Sequence, residues 1–285
     1  MNQRIPRRLI LDKPTRDAIA IFEPRLAPLL RRVALAAAVV RWCVAGPPRY
    51  TLVLPQGWAE RTLGAGGDDA GAVWRRLADY APPLAAAIGE DGLAWALGRG
   101  AAATDMAGAV WSLRRRGLSV ATIPVGWVVG PGLGSLPGAQ GWQVAALNSA
   151  YVAGQVDAHS PTGVRWMRRV RLPELDEPTR AALTRLGALA ADLTGERLDI
   201  EREVGQRLLR DYGPPGAALS PALRRWWALS FAALLAEMAR TMRGEVPQRY
   251  REPLEQWLAE RGAARRALIE RLDGVQALLD ATVVE

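Results

Sequence analysis

One cysteine, Cys43, and one histidine, His159, are all that this 285-residue chain holds of the side chains on which most metal sites and many catalytic schemes depend. A lone cysteine closes no intramolecular disulfide, and without thiolate or imidazole clusters the usual zinc donor sets cannot be assembled. The same shortage removes most histidine-based acid–base and nucleophilic catalysis. An enzyme made from this chain would work with carboxylates, Ser, Thr, Tyr or Arg, so the sequence leans away from catalysis and no cofactor is expected. Long apolar runs are missing as well. No charge-free stretch reaches the roughly 18 residues of a membrane span. The nearest, Val33–Val40, is bracketed by Arg31, Arg32 and Arg41. The basic start, Met1–Arg8, lacks the apolar core and small-residue cleavage site of a signal peptide. A cytoplasmic protein with no membrane contact is expected.

Lysine is nearly absent too: 36 of the 37 basic residues are Arg, and only Lys13 is Lys. A GC-rich genome by itself favours Arg, Ala and Gly codons, but guanidinium also suits bidentate phosphate contacts and stacking on bases. The placement of the charge is more informative. Residues 1–171 carry 21 Arg or Lys against 11 Asp or Glu, a net of +10, whereas residues 172–285 carry 16 against 18, a net of −2. A basic part followed by a near-neutral part predicts that the first meets something anionic and the second packs or pairs.

The pattern along the chain predicts a mainly α protein with a smaller β component, an α+β class. A mixed, basic domain is expected over 1–172 and an antiparallel helical bundle over 173–285, with Pro173–Pro178 as the joint. Thr15 is placed as an N-cap, Pro24 and Pro28 as breaks, and a longer helix is expected from about Leu26 to Val44, stopped by Gly46-Pro47-Pro48. Tyr50–Leu54 has strand composition, and Leu118–Val129 reads as a strand broken near Pro124-Val125-Gly126. Gly130–Gly138 reads as a surface loop, Trp142–Val156 is ambiguous between helix and strand, and Gly163–Leu172 alternates like a strand. Trp58…Asp68–Trp74 is echoed 37 residues later by Trp95…Asp105–Trp111. The echo reads as a duplicated binding unit or, in preference, as chance in an Ala/Gly-rich chain or two similar capped helices, since two copies do not make a solenoid.

Beyond the joint, helices are expected near 178–192, 196–212, 220–243 and 247–281, with Ser220-Pro221 as an N-cap and N1 pair. Leu223, Trp227, Leu234, Met238 and Met242 form one apolar stripe, and Leu254, Leu258, Leu268, Leu272 and Leu279 another. Short connections then imply an antiparallel bundle. Adjacent Trp226 and Trp227 lie about 100° apart on a helix, which leaves Trp226 for a neighbouring domain or partner chain.

Candidate binding residues follow from charge and aromatic content. Arg114, Arg115 and Arg116 are placed at a helix C-terminus, where the macrodipole also favours them. Arg165, Trp166, Arg168, Arg169 and Arg171 are placed on a strand. Arginines along a groove neutralise phosphates, and an exposed tryptophan offers a face to a base, although Trp166 shares the parity of Val164 and Val170, as a core residue would. The run Gly130-x-Gly132-x-Gly134 is neither G-x-G-x-x-G nor a P-loop, and it reads as a lid or partner-binding loop before it reads as a nucleotide cradle. His159, in Asp157-Ala158-His159-Ser160, reads as a turn residue, and Cys43 as a small buried one.

Two resemblances follow. Asp105, Leu113-Arg114-Arg115-Arg116-Gly117-Leu118-Ser119-Val120, Pro124 and Gly132-Leu133-Gly134-Ser135 resemble a fragment of the family-2 glycosyltransferases. That likeness implies an acidic residue before a helix, an Arg-x-x-Gly turn and a strand ending in Pro. Val128-Val129-Gly130 stand where that family has its His. The basic α+β part joined to a helical bundle is similar in layout to the large subunit of CRISPR surveillance complexes, which implies a non-catalytic, nucleic-acid-binding subunit of a multi-protein nucleoprotein complex. The partners so implied are DNA or RNA and other protein subunits. A structural protein of a phage particle or similar assembly is the alternative, and a glycosyltransferase-like enzyme a second one.

Overall fold

The computed structural model describes residues 5–65, 70–99, 108–114, 117–158, 170–242 and 245–284. With 63% helix and 12% strand in small sheets, it is an α+β protein with a long helical C-terminal region. Two compact units are present, residues 1–187 with 282–285, and residues 188–281.

In the first unit, helix α1 (Lys13–Phe22) is capped by Asp12, whose side chain accepts from the Thr15 amide at 3.0 Å. The cap is therefore Asp12 and not Thr15, with Pro14 fitting the first turn, where no amide partner is needed. After a 3₁₀ segment (Pro24–Leu29) the chain does not form the expected Leu26–Val44 helix. It forms strand β1 (Leu30–Ala34). Pro28 prevents a helix from entering, and Leu30, Val33 and Ala34 gain burial through strand partners distant in sequence. Those partners are β2 (Tyr50–Leu52), antiparallel, and β5 (Val128–Val129), parallel. Cys43 lies in the turns between β1 and β2 and is half-buried, not at the end of a buried helix.

Helices α2 (Trp58–Leu63), α3 (Ala70–Tyr80) and α4 (Pro82–Arg99, broken at Gly89) pack with β1 and β2 around one core containing Leu9, Leu52, Leu77, Leu84 and Ile88. The second sheet is β3 (Gly108–Arg114), β4 (Gly117–Ile123) and β6 (Gly134–Pro137), all antiparallel in the order β4-β3-β6. The echoed segment thus differs in conformation. Ala70-Gly71-Ala72-Val73-Trp74 is helical, whereas Gly108-Ala109-Val110-Trp111 is strand, so neither a duplicated unit nor a pair of similar helices exists. Trp111 is where the difference is decided. It is buried over Gly134, and a Cβ at that glycine would lie 2.0 Å from the indole.

The Gly130–Gly138 stretch is correspondingly not a free loop. Gly130 donates its amide to the Ala34 carbonyl at 2.8 Å, and residues 134–137 pair with β3. The outer edge of β4 is covered rather than open. Asn148 accepts from the Val120 amide (3.1 Å) and donates to the Val120 carbonyl (2.9 Å), and the Trp42 amide reaches that same carbonyl at 3.0 Å. Trp42 adopts φ +79° to do so, a left-handed conformation rare for tryptophan. Covering the edge removes a template for unwanted strand pairing. Asn148 follows helix α5 (Gly141–Leu147), and helix α6 (Ala150–Ala158) completes this layer, so Trp142–Val156 is helical. Residues 170–172 are irregular, against the expected strand.

Helix α7 (Glu177–Tyr212) runs for 36 residues without the expected break near 192–196. Thr194 stays helical by donating its hydroxyl to the Ala190 carbonyl at 2.7 Å, and buried Leu193 offsets the helix penalty of Gly195. In the second unit, α7 faces helix α9 (Gln248–Val284) in antiparallel register, since Glu201 meets Arg265, Glu203 meets Arg261, and Arg207 lies over Trp257. Between them, the expected 220–243 helix is divided. Ser220 accepts from the Leu223 amide, a 3₁₀ segment spans Leu223–Ala228, and Ser230 caps helix α8 (Phe231–Met242). The stripes read from sequence are buried here through Leu223, Leu234, Met238, Met242, Leu254 and Leu258. Trp226, expected to face a partner, is 4% exposed inside this core. The 3₁₀ geometry, with Arg225 at φ −116°, ψ 38°, breaks the α-helical spacing, and the two indoles meet edge to face at 5.9 Å.

Helix caps and short ion pairs predict an acid sensitivity. Hydrogen bonds hold the carboxyls of Asp12 and Asp176 (each from the hydroxyl and then the amide of a Thr at a helix start, Thr15 and Thr179), Asp17 (from Lys13 and Arg16), Asp211 (from Arg210) and Glu237 (from Arg240) below their ordinary values. A depressed native pKa stabilises the fold while the group is ionised. The unfolding midpoint is therefore expected to be level above about pH 5 and to fall as pH drops through the lowered values. Thermal unfolding at stepped pH checks this, and a midpoint unchanged down to about pH 3 would contradict it.

Candidate nucleic-acid interface

Of the residues selected from sequence, Arg115, Arg116, Arg165, Trp166, Arg168 and Arg169 lie outside the described residues, as does His159. Arg114 ends strand β3 opposite Gly117, not a helix, so the macrodipole has no part in its placement. Arg171 is exposed, and both of its backbone groups are held by the Gln155 side chain, at 3.1 Å and 3.0 Å.

Another arginine and aromatic set comes together on the first sheet. Register pairs Arg32 of β1 with Tyr50 of β2. On the other side, Val33 pairs with Val128 in parallel, which brings Trp127 level with Arg32. Arg32 thus stands between two aromatics in one row across the sheet, with its guanidinium carbon 4.4 Å from the Trp127 ring centroid. Arg16 on α1 reaches over Tyr50 at 5.5 Å. Arg31 is exposed beside Gly126, which turns at φ +85°. Arg49 precedes Tyr50, its carbonyl accepts from the Val33 amide, and its charge helps to lower the Asp12 carboxyl.

Lys13 and Arg16 meet Asp17, Arg49 acts on Asp12, and Arg31 and Arg32 are exposed on β1. Asp17 is taken by Lys13 and Arg16, while Arg31, Arg32 and Arg49 form no ion pair among the described residues. The second unit is arranged otherwise. Arg197, Arg202, Arg207, Arg210, Arg240, Arg261 and Arg265 each meet a carboxylate between 2.6 and 3.3 Å. Most of those pairs lie within one helix, and Arg261 and Arg265 join α9 to α7, whereas the exposed Arg31 and Arg32 of the first sheet meet no carboxylate among the described residues.

Arg31 and Arg32 are not singled out by the sequence because they flank an apolar run that reads as helix. Nothing local to residues 30–34 names Tyr50 or Trp127 as neighbours. The glycosyltransferase likeness loses its helix, since 108–114 is a strand, although the strand ending before Pro124 is present. Among the described residues no group of three or more His, Cys, Asp or Glu could hold a metal ion. No helix among them is long and apolar enough to cross a membrane.

These features define an α+β protein with an arginine and aromatic row on one small sheet and a helical region in which seven arginines pair with carboxylates. Within it, residues 176–283, covering α7 to α9 but none of the strands, match the family model of a domain of unknown function, DUF8810. No curated protein and no solved structure matches the chain.

Proposed function

We propose that this protein is a cytoplasmic, non-catalytic subunit of a multi-protein nucleoprotein complex, in which the first unit meets nucleic acid and the helical unit docks to neighbouring subunits. The observation that carries the reading is the row Tyr50–Arg32–Trp127, whose exposed Arg32 cation has no ion-pair partner among the described residues, with Arg31 and Arg49 adjacent along the chain. Guanidinium groups so placed suit phosphates and base faces, and the net +10 of residues 1–171 would steer a polyanion toward them. The helical unit pairs seven of its arginines with its own carboxylates and exposes Leu189, Tyr250 and Leu278, apolar surface that suits protein contact.

Binding of the full chain to labelled nucleic acid across a salt series tests the proposal. Replacing Arg31, Arg32 and Arg49 together by Ala is expected to weaken binding at all sequences. It should also lower the slope of log K against log salt by about two to three, at roughly 0.7 to 0.9 for each phosphate no longer neutralised. Absence of binding at low salt would overturn the proposal. Loss of binding only on replacing Arg165, Arg168 and Arg169 would move the interface to that segment.

A further inference from the structure

We infer that the β2-β1-β5 surface takes single-stranded rather than duplex nucleic acid, with the Arg32 guanidinium, backed by Trp127, as the platform on which a base stacks. The inference rests on the nucleic-acid reading above and specifies its ligand.

A guanidinium has two flat faces. With its carbon 4.4 Å from the Trp127 ring centroid, Arg32 lies over the indole and is itself exposed, so its solvent side is open to a second π surface. Arg16 lies over the Tyr50 ring at 5.5 Å at the other end of the row, half-buried and bonded to Asp17. Arginine planes and aromatic rings are the platforms on which unpaired bases stack, irrespective of sequence. In a duplex those base faces are occupied by neighbouring bases, and a protein reaches only phosphates and groove edges. The platform is thus useful to a single strand and idle toward a duplex. Holding the guanidinium over a ring also orders it before binding, which lowers the entropy lost when a base arrives. Arg31 and Arg49 alternate to the other face of the sheet, so the stacking row itself carries the charge of Arg32 and, over Tyr50, of Arg16.

The substitution that separates stacking from charge is Arg32→Lys, which keeps the cation and removes the plane. The experiment measures anisotropy of the full-length protein with a labelled mixed-sequence oligonucleotide of about 20 residues, long enough for one binding face. It is offered as single-stranded RNA, as single-stranded DNA and as the matching duplexes, in one buffer. The native chain is expected to bind single strands at least about tenfold more tightly than duplexes. Arg32→Lys should lose about tenfold toward single strands, within the range base stacking supports, and stay within about twofold toward duplexes. Arg32→Ala should weaken both. Arg16→Lys is the second stacking variant, and matching circular dichroism and melting curves show that each variant is folded. A preference for RNA or for DNA among single strands supports the inference either way and identifies the sugar. Equal affinity for single strands and duplexes, or single-strand affinity indifferent to Arg32→Lys, overturns the inference while leaving the nucleic-acid reading in place. No binding to any probe at low salt overturns both.

Discussion

Glu201→Ala should destabilise the helical unit by about 3 to 5 kcal/mol, the cost of leaving a nearly buried cation without its anion. Arg265 donates to Glu201 at 2.8 Å, with side-chain exposures of only 11% and 16%, and Arg197 reaches the same carboxylate at 3.3 Å. Arg265 is held from its other side by the Trp227 ring at 3.8 Å, so it cannot swing freely into water when the carboxylate is lost. The comparison is Asp199→Ala, which removes the partner of Arg202 in a pair exposed at 67% and 51%. That loss should stay below about 1 kcal/mol because solvent already screens it. Replacing Glu201 and Arg265 together by apolar residues of similar volume should recover most of the stability, since desolvation largely cancels the attraction of a buried pair. Urea unfolding followed by far-ultraviolet circular dichroism reads the native chain and all three variants. Equal effects of Glu201→Ala and Asp199→Ala would show that the 201–265 pair is solvated.

Gly134→Ala should be the most damaging single-methyl change in the first unit. The added Cβ would fall 2.0 Å from Cε2 and 2.2 Å from Cζ2 of Trp111, which is 6% exposed and packed with Leu118, Val120, Val144 and Leu147. A neighbour held so firmly cannot yield by the required ångström or more, so β6 must move away from β3. The cost should lie at or above the upper end of the about 1 to 3 kcal/mol usual for overpacking. Trp111→Ala should cost about 3 to 5 kcal/mol through the cavity it leaves. In that background Gly134→Ala should be nearly neutral, which gives a double-mutant coupling equal to the single Gly134→Ala cost, about 3 kcal/mol. Thermal unfolding monitored in the near ultraviolet measures the cycle. A Gly134→Ala melting point equal to that of the native chain would show that the close packing of 111 on 134 contributes nothing.

Several features of this protein follow from the order of its residues alone. The stripe residues Leu234, Met238 and Met242 on α8 and Leu254 and Leu258 on α9 lie in one helical core, because a period near 3.6 is a property of the segment itself. The strand of 117–123 and its stop at Pro124 are equally local, from β-branched content and a missing amide. The division of charge at residue 171 is pure composition, and the structure adds that Arg261 and Arg265 of the near-neutral part pair with its own Glu203 and Glu201.

What needed the tertiary structure was any choice between two locally acceptable conformations. Ala-Gly-Ala-Val-Trp occurs twice, and only Trp74 is helical, because Trp111 gains burial over Gly134 while its backbone pairs with 117–123 and 134–137. Leu30-Arg31-Arg32-Val33-Ala34 is a strand because the segments holding Leu52 and Val128, both far along the chain, supply its hydrogen bonds. Trp226 turned inward when a 3₁₀ segment replaced the expected helix. The row Tyr50–Arg32–Trp127 joins three stretches that share no local pattern. Periodicity reports what a segment does with its own neighbours, whereas pairing partners and the burial they bring are set by loop closure across the whole chain.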